Sequence, residues 1–176
     1  LVGAFLSVAV AKTVAGGIVK LDVFDLNDTV DSERLLLVVF AGLAGGIMWN
    51  LFTWLFGIPS SSSHALFGGL IGSAIAAIGF NGVVWGGVLD KIILPALFAP
   101  FVAGLIAAIG TWLVYKITAN AEQNHRDNYF RWGQIGTASL VALAHGTSDA
   151  QKTMGVIFLA MVAAGQFGQD HPMPFW

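Results

Sequence analysis

Apolar runs of about twenty residues follow one another along the chain, each separated from the next by a shorter polar stretch. A helix of that length crosses a hydrocarbon layer of roughly 30 Å. The pattern predicts spans at residues 1–19, 35–56, 60–80, 91–116 and 133–165 of one transmembrane unit covering 1–176. Lys12 lies inside the first span, and Pro95 and Pro100 bend the fourth. Alternation over about ten residues, the mark of a membrane barrel, does not occur. The expected fold class is all-α: an integral membrane protein built as a polytopic helix bundle.

Small residues recur at helical spacing inside the predicted spans. Ala41, Gly42, Gly45 and Gly46 form one set, Ala65, Gly69 and Ser73 a second, and Gly68 and Gly72 a neighbouring pair. Such ridges let two helix backbones approach closely. Between spans, 20–34 is an acidic loop with Asp22, Asp25, Asp28, Asp31 and Glu33 against Lys20 and Arg34. Residues 81–90 read as a glycine-rich turn, and 117–132 as a polar loop with Arg126 and Arg131 near Lys116. Basic residues collect on the cytoplasmic side, so 117–132 is expected inside and 20–34 outside. Phe175 and Trp176 suit an interfacial aromatic belt.

Composition supports the same picture. Charged residues are 10% of the chain, against about 25% in soluble domains, and the mean hydropathy is +0.77. No basic stripe with interleaved aromatics points to nucleic acid. The absence of cysteine rules out disulfides and thiolate metal sites. The chain opens at Leu1 inside an apolar run, without an initiator methionine or a signal-peptide n-region. It is expected to be a fragment of a longer protein.

Two polar islands interrupt the apolar background. The first is Gly57-Ile58-Pro59-Ser60-Ser61-Ser62-Ser63-His64. Irregular backbone survives at membrane depth only where protein or a wet cavity surrounds it. This stretch therefore predicts a discontinuous helix, whose second half opens with unpaired N–H groups and a run of hydroxyls. That combination suits an oxyanion such as phosphate; the plainer alternative is a solvated turn that caps the next helix. His64 either bonds backbone carbonyls of the break or titrates near neutral pH.

The second island is His145-Gly146-Thr147-Ser148-Asp149-Ala150-Gln151-Lys152. On a continuous helix His145, Asp149 and Lys152 share a face, although Gly146 leaves a break open. Ionisable groups at depth commonly mark ion or substrate pathways. Asp149 would take a proton or a cation, and its charge would repel an anion until it did so, which is a physical basis for symport. The alternative is a structural Asp149–Lys152 pair.

These islands, with Trp49-Asn50-Leu51-Phe52-Thr53-Trp54 before the break and Gly68-Gly69-Leu70-Ile71-Gly72 after it, resemble the inorganic phosphate transporter (PiT) family over essentially the whole chain. The resemblance implies a multi-pass secondary transporter of the cell membrane, built from two inverted repeats, with substrate near the midplane between discontinuous helices. It implies transport of inorganic phosphate coupled to a proton or sodium ion, and no enzyme activity. No resident cofactor or metal is implied beyond that coupling cation. Carried over by position, Ser61, Ser62 and Ser63 fall on the phosphate-contacting run. Asp149 falls on the motif aspartate near phosphate and coupling ion, with Gln151 and Lys152 in the same motif. Ser148 stands where the family carries asparagine, beside the coupling ion. His64 and His145 keep structural or open roles.

The chain holds the serine motif of one repeat and the aspartate motif of the other. It would thus supply about half a site, with the lipid bilayer, the missing parts of the same chain and a homodimer as expected or open partners, and no nucleic acid. Other readings are a carrier of another oxyanion such as sulfate or of a metal–phosphate complex, an intramembrane serine hydrolase, and a scaffold or channel. Against the hydrolase, Ser63 and His64 are sequence neighbours and do not face each other on a helix, and no Gly-x-Ser-x-Gly elbow is present.

Overall fold

The computed structural model describes residues 11, 14, 16–25, 28–119 and 123–168. Lys12, Phe175, Trp176 and most of the first predicted span lie outside these, as does the side chain of Arg126. Within them the chain is helical, with no strand beyond a single antiparallel bridge between Val19 and Val83.

Helix α1 spans Thr29–Leu55. It begins before the predicted 35 because Asp28 caps it: the carboxylate accepts from the Val30 N–H at 3.1 Å. Asp31 then sits in the first turn, where the helix dipole favours an acid. The acidic stretch assigned to a loop therefore divides into a short 3-10 turn, Leu21–Val23, and the first polar turns of α1.

Helix α2, Ser62–Ile78, returns antiparallel along α1. The small-residue ridges account for how closely they lie. A Cβ on Gly69 would overlap the Gly42 carbonyl, one on Gly46 would press the Ala65 carbonyl at 3.2 Å, and one on Gly42 would meet Leu70. Gly68 and Gly72 face open space among the described residues, so of the two α2 ridges the one through Ala65 and Gly69 is the packing face.

Helix α3 runs from Trp85 to Thr118, starting inside the predicted 81–90 turn. The turn itself shrinks to a 3-10 segment, Phe80–Gly82, whose Phe80 carbonyl accepts from the Trp85 indole at 2.9 Å. A π turn at Leu89–Ile93 precedes Pro95, and the Leu94 N–H bonds the Leu89 carbonyl five residues back. Pro95 has no N–H to continue the α ladder, which is where such a wide turn finds its place.

Helix α4, Gln123–Ala163, is continuous over 41 residues, about 60 Å at 1.5 Å per residue. Of the polar stretch predicted as a loop at 117–132, residues 123–132 thus belong to α4. Residues 123–132 are polar but include no glycine or proline, so α4 runs through them without a break. Polarity there reports surroundings rather than a break.

The core lies where α1, α2, the C-terminal part of α4 and the described residues Ala11, Val14 and 16–24 meet. Val39, Leu70, Phe158, Leu159 and Val162 form one buried cluster, and Ile18, Leu35, Val38, Ala74, Val83 and Val88 another. Beyond Val88, α3 has no buried residue, and α4 is exposed from Asp127 to His145. By length and composition α1 and α3 can each cross a membrane, whereas α2 has 17 residues.

Candidate functional site

The break between α1 and α2 is built from three local devices. Gly57 takes φ +64, a left-handed conformation that costs little only for glycine. Its N–H bonds the Trp54 carbonyl at 3.1 Å, and the Ile58 N–H bonds Thr53 at 2.8 Å. That is a Schellman stop for α1, followed by Pro59. Two residues after Pro59, Ser61 caps α2, its hydroxyl accepting from the His64 N–H at 3.4 Å. Among the described residues, the Ser62 and Ser63 N–H groups have no acceptor, as expected in a first helical turn.

The second island comes to meet this turn. Helix α4 continues through Gly146, so His145, Asp149 and Lys152 share a face. His145 Nε2 lies 2.9 Å from Asp149 Oδ2. The Lys152 ammonium donates to Asp149 Oδ1 at 2.8 Å and to Ser63 Oγ at 2.5 Å. The last bond joins positions 89 residues apart. Ser62 and Ser63 from α2, Asp149, Lys152 and Thr153 from α4, and Leu43 from α1 wall one cavity of about 440 Å³.

The expected site residues divide around it. Ser62, Ser63, Asp149 and Lys152 share the cavity. Ser61 and His64 line a second one, of about 470 Å³, on another side of the α2 N-terminus. The His64 imidazole is exposed and makes no hydrogen bond to the described residues. Ser148 is half-buried and Gln151 is 1% exposed in the bundle; neither lines the Asp149 cavity. His145 touches Asp149 from a largely exposed position.

One contact, made by Trp49, escaped the sequence reading. Its indole N–H donates to Ser60 Oγ at 3.2 Å, tying the last turns of α1 to the serine run. The only available signal was a tryptophan preceding a helix stop that folds the chain back. Among the described residues, the geometry at Ser63 does not present an activated nucleophile. The ammonium gives a hydrogen bond to its oxygen, and a protonated lysine paired with a carboxylate takes no proton from serine.

The phosphate transporter family model matches residues 1–176. The chain belongs to the phosphate transporter family. This is a family of membrane transporters, not enzymes. A Mycobacterium bovis protein named "Probable low-affinity inorganic phosphate transporter" is 53% identical over 99% of this chain and 39% of its own length. A Bacillus subtilis protein of the same name is 39% identical over 99% of this chain and 50% of its own. The Escherichia coli "Low-affinity inorganic phosphate transporter PitA" is 32% identical over 89% and 36%. The chain thus spans less than half the length of the first of these relatives. A solved structure named "The sodium-dependent phosphate transporter" superposes with a TM-score of 0.80 at 20% identity, covering 98% of this chain and 59% of that one. That likeness shows the fold.

Proposed function

We propose that this chain forms part of a multi-pass secondary transporter of the cell membrane, one that moves inorganic phosphate together with a proton or sodium ion. The observation that carries the reading is the bridge from Ser63 through Lys152 to Asp149 on the wall of one cavity. Hydroxyl and N–H donors of the α2 N-terminus and a lysine ammonium suit a tetrahedral oxyanion. The adjacent carboxylate suits a cation, and repels the anion unless the cation comes too. Family membership and the names of the relatives support phosphate over other oxyanions.

The test is uptake of labelled phosphate by the longer protein to which the chain would belong, in proteoliposomes with imposed pH or sodium gradients. Gradient-driven uptake is expected, competed by arsenate more than by sulfate. Asp149→Asn should reach the membrane and lose coupled uptake. Full coupled uptake by that variant would remove Asp149 from the mechanism, and stronger competition by sulfate would reassign the substrate.

A further inference from the structure

Asp149 and Lys152 could form a transport pair or a structural one, and the geometry favours a third arrangement. The ammonium has three donors. One goes to Asp149 Oδ1 at 2.8 Å, one to Ser63 Oγ at 2.5 Å, and the third has no described partner. Because the Ser63 oxygen accepts from lysine, its own hydrogen is directed elsewhere; the hydroxyl lines the cavity and has no other described partner. Lys152 is therefore held between two different clients: the carboxylate that would take a cation, and the hydroxyl that would help take an anion. Among the described residues, the charged or titratable groups facing Asp149 are Lys152 and His145, both on its own helix. The α2 and α1 walls bring Ser62, Ser63, Leu66 and Leu43, none of them charged.

We propose that the Lys152 ammonium is a built-in competitor of the coupling cation: lysine and cation take turns on Asp149, and the displaced ammonium turns to the anion held at Ser62 and Ser63. The proposal rests on the transport reading above and assigns the residue that couples its two substrates. Two cations cannot share one carboxylate as favourably as one, so a cation on Asp149 weakens the hold on Lys152. An anion that draws the ammonium away leaves Asp149 open to the cation. By linkage, each substrate raises the affinity for the other by the same factor. A fixed Asp–Lys pair would leave only the direct effect of the carboxylate charge on the anion to link the two.

The experiment measures phosphate uptake by the longer protein in proteoliposomes, varying pH at fixed sodium and sodium at fixed pH, for wild type, Lys152→Met, Lys152→Arg and Ser63→Ala. Removing the competitor in Lys152→Met should lower the half-saturating concentration of the coupling cation. The same change should raise the KM for phosphate by roughly tenfold or more, the loss of a charge-assisted hydrogen bond. It should also weaken the dependence of that KM on the cation, leaving only the direct repulsion between Asp149 and the anion to link them. Ser63→Ala leaves lysine with Asp149 as its sole acceptor, so the cation requirement should move the other way, upward. Lys152→Arg should restore part of the wild-type dependence. If Lys152→Met is absent from the membrane, the upward shift in Ser63→Ala decides the matter. A cation requirement unchanged in both variants, or raised in Lys152→Met, overturns the proposal while leaving phosphate transport standing. A wild-type protein that takes up no phosphate overturns both.

Discussion

Along α1 and α2 the small residues meet one another, whereas along α3 beyond Gly87, which packs against the Gly17 carbonyl, the glycines meet nothing among the described residues. Gly42, Gly46, Ala65 and Gly69 stack the first two helices almost backbone to backbone, while a Cβ on Gly104 or Gly110 would find open space. Both regions are strongly apolar and both offer small residues at helical spacing. Apolar content alone therefore does not say which helices pack. Without a hydrophobic drive between helices in lipid, close approach has to come from shape, and shape is what the α1–α2 ridge supplies. The unpaired length of α3 is surface that bilayer or further protein would cover.

The most severe way to break that contrast is to fill the α1–α2 seam. Gly69→Val places its branched side chain into the Gly42 carbonyl. A backbone atom cannot rotate away, so the helices must separate, at a cost of about 3 kcal/mol, the top of the usual range for overpacking. Loss of monodisperse protein on size-exclusion chromatography is the expected outcome. Gly104→Ala should change stability by no more than about 1 kcal/mol in either direction. Equal damage from Gly104→Ala would show that α3 is as tightly packed as α1 and α2, and the contrast would vanish.

Much of this was legible in the sequence, and the part that was not has physical causes. The break at Gly57–Ser61 could be read because positive φ, proline and a capping serine are local requirements written into neighbouring residues. The shared face of His145, Asp149 and Lys152 followed from helical spacing, once α4 proved to pass through Gly146. The contact between Lys152 and Ser63 could not be read, since their separation in sequence carries no information about distance in space. Nor could the division of the serines: four in a row look equivalent, but a helix start turns successive residues about 100° apart. Ser60 and Ser61 thus line one cavity while Ser62 and Ser63 line another. The extent of α4 was misjudged because polarity at 123–132 was taken as a loop signal, when only glycine or proline would have broken the helix.

A milder change tests whether the body also depends on glycine for conformation. Gly57 has no Cβ clash to fear, as nothing lies within 4 Å of the position, but its φ of +64 is unfavourable for any residue with a side chain. Gly57→Ala should therefore cost about 1–2 kcal/mol through backbone strain alone. Thermal unfolding of purified protein would register it as a lower midpoint, against little change for Gly110→Ala, whose helical backbone makes no such demand. A neutral Gly57→Ala would mean that the Schellman stop is not what ends α1.

The smallest effect separates capping from substrate contact within the serine run. Ser61 uses its hydroxyl as the cap of α2 and lines the cavity beside Trp49 and His64, away from Asp149. Its hydrogen bond to the His64 N–H is long, at 3.4 Å. Ser61→Ala should thus cost about 0.5 kcal/mol, the low end for an N-cap serine. Uptake should fall little in that variant, more in Ser62→Ala and most in Ser63→Ala, where the hydroxyl bonded to Lys152 is lost. The order matters more than the sizes. A cap that matters only for stability predicts a melting change without a change in phosphate KM, whereas a serine that touches the anion predicts the reverse. If Ser61→Ala raised the KM as strongly as Ser63→Ala, the anion would have to span both sides of the α2 N-terminus, and the cavity shared with Asp149 would be only part of its site.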